Sequence, residues 1–116
     1  MLFLYYPVTG ALLGPESLPF LHDELYDIRG KWYDIGVQIG VDVGTLESIK
    51  NEYGDGGDAL RQVLTHWLKR EPTWEPLFKA LRSRPVRALT IANTLQRKMA
   101  ELLPEIIQEG ILKLGP

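Results

Sequence analysis

The stretch ALRQVLTHWLKREPTWEPLFKAL, residues 59–81, decides the fold. Leu60, Val63, Leu64, Trp67 and Leu68 recur at helical spacing, so one side of a helix is apolar. Arg61, Gln62, Lys69 and Arg70 lie off that stripe. The helix is expected to stop at Glu71-Pro72, because a residue before proline is driven out of helical dihedrals. Thr73 is then expected to cap a second helix with its hydroxyl, over Trp74 to Arg82. Glu75 complements the positive end of that helix, and Pro76 stands where an N–H has no partner inside the helix. Leu77, Ala80 and Leu81 form its apolar side. The sequence therefore predicts two helices meeting at a hard corner, with Trp67 and Trp74 flanking it.

Upstream, the same periodicity continues. Leu21, Leu25 and Ile28 predict a first helix from Leu21 to Arg29, with Gly30 permitting a bend. Trp32, Ile35 and Ile39 predict a second from Lys31, stopped by Gly40. Asp42 is expected to cap a third, Val43 to Tyr53, whose stripe is Leu46, Ile49 and Tyr53. GDGGD, residues 54–58, reads as a tight loop, with Asp55 or a neighbour capping the helix that runs to Arg70. Downstream, Pro85 is expected in the first turn of a sixth helix carrying Ala88, Ile91, Ala92, Leu95 and Met99 inward. Pro104 ends or kinks it, and EIIQEGILKLGP, residues 105–116, reads as one or two further turns. No strand-like alternation competes, so the expected fold is an all-α bundle of short antiparallel helices.

Length, 116 residues, fits one domain. Residues 1–17 carry Pro7, Pro15, Gly10 and Gly14 and read as an irregular lead-in contributing little to the core. Residues 18–99 read as the bundle and 100–116 as a tail. Leu2, Phe3, Leu4, Tyr5 and Tyr6 are apolar, but no basic residue precedes them. They are read as a tail covered by the bundle or by another copy, rather than as a signal peptide. With no cysteine, disulfides and cysteine–zinc sites are excluded. A 45% hydrophobic and 24% charged chain is that of an ordinary globule, and no apolar run reaches the roughly 20 residues of a membrane span.

Catalytic signatures are thin. His22 and His66 fall in different predicted helices and read as ordinary surface histidines, with no metal-binding spacing around them. Asp55 and Asp58 sit in a glycine loop without the calcium-binding pattern, so they read as turn and cap residues. Ser17, Ser48 and Ser83 lack the glycine setting of an exposed nucleophile. The tryptophans lie on apolar stripes and read as core. No catalytic, cofactor or metal residue is assigned.

Charge is where the sequence speaks. The net charge is −2, yet residues 16–58 hold ten acids against Arg29, Lys31 and Lys50. Residues 69–98 hold eight bases against Glu71 and Glu75. The acidic candidates are Asp34, Asp42, Glu47, Glu52, Asp55 and Asp58; the basic ones are Lys69, Arg70, Lys79, Arg82, Arg84 and Arg87. A chain polarised in this way attracts a copy of itself or a relative head to tail. The competing reading is a helix-turn-helix DNA binder using Arg82, Arg84, Arg87, Arg97 and Lys98, which the acidic first half opposes.

Three segments together, KWYDIGVQIGV at 31–41, TLESIKNEY at 45–53 and the opening stretch, resemble the death domain of apoptotic and immune signalling. The resemblance rests on Trp32, Ile35, Gly36, Ile39, Gly40, Leu46, Ile49, Leu60, Val63, Leu64, Trp67, Leu68, Thr73, Trp74, Leu77, Ala80 and Leu81, and covers residues 21–95. It implies a six-helix Greek-key bundle without catalytic residues or cofactors. It also implies a cytoplasmic adaptor role through binding to other death domains, and no nucleic-acid partner.

Overall fold

The computed structural model describes residues 13–98. Within them the chain is helical and no β-strand forms. Helix α1 is Leu18–Glu24, and a short 3-10 turn, Tyr26–Lys31, leads into α2, Trp32–Gln38. Next come α3, Val43–Tyr53, α4, Gly57–Leu68, and α5, Glu75–Arg82. Residues 89–98 form α6. Helix α4 packs against α1, α2 and α3, and α5 packs against α2. The first half of the 59–81 stretch thus forms the centre of the bundle.

Burial follows the periodicity. Trp32, Ile35, Ile39, Leu46, Ile49, Leu64, Trp67, Leu68, Leu77 and Leu81 share one core, as the stripes predict. No buried side chain among the described residues is polar or charged, so dispersion and apolar burial hold the centre together. Helix α5 shows the division in two turns: Leu77, Phe78, Ala80 and Leu81 are buried, while Glu75, Lys79 and Arg82 face water.

In and just after α2, geometry requires a glycine at two positions. At Gly36, inside α2, an added Cβ would lie 2.5 Å from Leu46 Cδ2, so the bare backbone lets α3 approach closely. At Gly40 φ is +90°, where a side chain is strained. The Val41 N–H donates to the Gly36 carbonyl at 2.9 Å and the Gly40 N–H to that of Val37 at 3.1 Å. This pair of bonds is the Schellman ending, and the buried Val41 completes it.

Several local expectations are corrected. Helix α1 starts at Leu18 rather than Leu21, because Pro19 is tolerated in a first turn. It ends at Glu24, and the chain continues as the 3-10 turn with a kink at Ile28. Thr73 makes no cap: Trp74 occupies the cap position of α5, and no side chain bonds the free N–H groups there. Asp55 does not cap α4 either. Gly56 stands at that position, while the Asp55 carboxylate accepts the Trp32 indole N–H at 3.1 Å. Helix α4 stops at Leu68, and Glu71 turns the corner at φ 48°.

Pro85 lies not in α6 but in a turn before it. There the Arg87 N–H donates to the Ser83 carbonyl at 2.7 Å and the Ala88 N–H to that of Leu81 at 2.7 Å. Tyr53 is 40% exposed instead of core. The lead-in also contributes more than expected. Leu13 is buried, its N–H donates to the Pro72 carbonyl at 2.6 Å, and Pro15–Ser17 forms a 3-10 turn. The expectations for Leu2 to Tyr6, Met99, Pro104 and the tail from residue 100 fall outside the described residues.

At the far end, Lys98 Nζ donates to both Glu24 oxygens at 2.7 Å, tying α6 to α1 across 74 residues of sequence.

Candidate functional site

All twelve charged candidates are exposed. Helix α2 carries Asp34, Asp42 stands before α3, Glu47 and Glu52 lie on α3, Asp55 is in the following loop and Asp58 opens α4. Three of them have local work. Asp42 is the predicted cap, accepting the Thr45 N–H at 2.9 Å and the Thr45 hydroxyl at 2.7 Å. Those bonds, the hydroxyl first, hold its carboxyl below the usual carboxylate range, and Arg70 adds to the effect. Glu47 accepts the Tyr33 hydroxyl at 2.6 Å and thereby pushes the phenol upward. Asp55 holds the Trp32 indole. The side chains of Asp34, Glu52 and Asp58 make no hydrogen bond or ion pair to a described residue.

The basic set divides in the same way. Arg70 donates to the Gly40 carbonyl at 3.1 Å. It therefore sits at the seam between the two sets, beside Asp42, rather than on a wholly separate surface. Lys79 pairs with Glu75 at 3.4 Å one helical turn away, a highly exposed contact of little energetic weight. Arg82 reaches across to α6, donating to Gln96 Oε1 at 2.6 Å and lying over the Phe78 ring at 5.9 Å. The side chains of Lys69, Arg84 and Arg87 make no hydrogen bond or ion pair to a described residue.

One concavity lies among the acids. A groove of about 380 Å³ runs between α3 and α4, lined by Asp42, Ser48, Glu52 and Tyr53 on one side and Gln62 and His66 on the other. Charge patterning pointed to Asp42 and Glu52 but not to the rest. Tyr53 is the last residue of α3, so its spacing assigned it to the core, while in the structure it lines the groove. His66 and Gln62 carried no separate signal, since only the packing of α3 on α4 brings them to the acids. His22 is not in this site: its Nε2 pairs with the Gly57 carbonyl at 2.8 Å and its ring packs edge-on to Tyr26. Among the described residues no cluster of three metal-binding side chains occurs, and no helix is long and apolar enough to cross a membrane.

No protein-family model, curated protein or solved structure matches this chain.

Proposed function

We propose that the chain is a protein–protein interaction module of the death-domain type, which recruits by binding copies of itself or related domains. Six antiparallel helices in Greek-key order belong to this reading, as do a signalling role and the absence of catalysis. The observation that carries it is the segregation of charge: exposed acids gather on α2, α3 and the following loop, exposed bases just past the end of α4, on α5 and on the turn after it. Beneath both lies an apolar core in which no buried side chain among the described residues is polar. The burial of Trp32, Trp67, Leu68 and Leu77 at the positions of the resemblance supports the same reading.

Complementary faces of this kind are heterologous, so each contact leaves one acidic and one basic face free and assembly can propagate into rings or stacks. Recruitment then acts by raising the local concentration of whatever the module carries. Single exposed pairs contribute only about 0–1 kcal/mol, so affinity must come from several together. Sedimentation velocity from about 0.01 M to about 1 M salt tests this, because the screening length falls from roughly 30 Å to roughly 3 Å over that range. Self-association that declines with salt is expected. Association indifferent to salt, or preferential binding to duplex DNA at low salt, overturns the reading.

A further inference from the structure

We infer that the α3–α4 groove of one copy receives the turn over residues 83–87 of the next, with Arg84 and Arg87 as the inserted side chains. The inference rests on the reading of the chain as a self-associating module, and it names the seat of the contact.

The turn is built to be presented. Arg84, Pro85 and Arg87 are exposed, while Val86 between them is fully buried and anchors the loop. Lys31 Nζ donates to the Val86 carbonyl at 2.6 Å. Backbone bonds from Val86 and Arg87 to the Ser83 carbonyl, and from Ala88 to that of Leu81, close the loop on itself. Arg87 holds φ 48°, a left-handed conformation that a non-glycine residue adopts only when its surroundings fix it. A loop already ordered loses little freedom on binding. Neither arginine has a described partner to satisfy its guanidinium.

The groove is built to receive such groups. Its volume lies at the lower end of the roughly 300–1,000 Å³ of ligand pockets, a size suited to side chains rather than to a helix. Glu52 lines the groove and pairs with no described residue, and Asp42 retains acceptor capacity beyond its two bonds to Thr45. Planar guanidinium groups match carboxylates with two parallel bonds and stack on aromatic rings, and Tyr53 is among the residues that line the groove. Ser48 and Gln62 supply further acceptors. The remaining acids, Asp34 above all, do not line the groove. A diffuse attraction between charged faces would use them equally; a seated turn would not.

That difference is the test. Self-association of the full chain is measured by sedimentation velocity at low salt for the parent, Glu52→Lys, Glu52→Gln, the double variant Arg84→Glu/Arg87→Glu, and Asp34→Lys. Each changed side chain is exposed, and circular dichroism checks that helix content is kept. Glu52→Lys and the arginine double variant are expected to weaken association about tenfold or more, Glu52→Gln to weaken it less, and Asp34→Lys to leave it within about twofold. Equal losses for Asp34→Lys and Glu52→Lys would overturn the seated turn yet leave the wider reading intact, because charge would still govern association. Loss in the arginine variant with none at Glu52 would move the contact out of the groove and overturn it likewise. A parent chain that stays monomeric at low salt removes the second copy as occupant, and self-association of the module with it.

Discussion

At the scale of single residues, side chains with one clear physical role behave as the sequence says. Asp42 caps α3 because its carboxylate can reach the free N–H of Thr45 three residues on. Its folded pKa is lowered, so it contributes stability that is present above the ordinary aspartate value, about 3.9, and is lost as pH falls through the folded value. An asparagine side chain at this position would cap equally well and would not titrate. Urea melts at about pH 6 and below about pH 4 should therefore show a larger acid loss in the parent than in Asp42→Asn. Equal losses would mean that the Thr45 bonds do not persist in solution.

Asp55 and Thr73 show where such reasoning ends. Both are good caps by chemistry, but the Trp32 indole takes Asp55, and Trp74 takes the place expected of Thr73. Such competition between a local partner and a distant one is invisible in a window of a few residues.

Among the elements, helices with an apolar stripe were legible and the joints between them less so. Helix α3 has the predicted bounds, and α2 and α4 differ by a residue or two at their ends. Leu13, Val41 and Val86 are buried in segments with no period, so nothing in spacing marks them as core. The groove was half legible for the same reason: its acids belong to one charged run, while Tyr53, Gln62 and His66 join them only through packing. Leu13 gives this a test. Its side chain is 2% exposed, so Leu13→Ala should cost about 2–5 kcal/mol in a denaturant melt, the range for a buried leucine. A loss below about 0.5 kcal/mol, as at surface sites, would return the lead-in to the periphery.

Across the whole molecule, stability is concentrated where α4 meets its neighbours. Trp67 is 2% exposed on the helix that touches α1, α2 and α3. Trp67→Ala should cost about 3–5 kcal/mol, a large share of the roughly 5–15 kcal/mol that holds a domain folded. Thermal and chemical melts measure it, and a variant as stable as the parent would remove α4 from the centre of the bundle. Exposed reversals such as Arg84→Glu, by contrast, should leave the melt nearly unchanged. Arg82 is different, since its bond to Gln96 joins α5 to α6, and its reversal would loosen that joint as well as the basic face.

The link between Lys98 and Glu24 has a consequence for how the chain is made. A ribosome adds about 5–20 residues each second, so the 74 residues between these partners take roughly 4–15 s to synthesise. Helix α1 waits through that interval without the cation that closes over Glu24 and lies 5.9 Å from the Phe20 ring. The earlier helices can assemble around α4 as they emerge, but the final latch is set only after α6 has been translated.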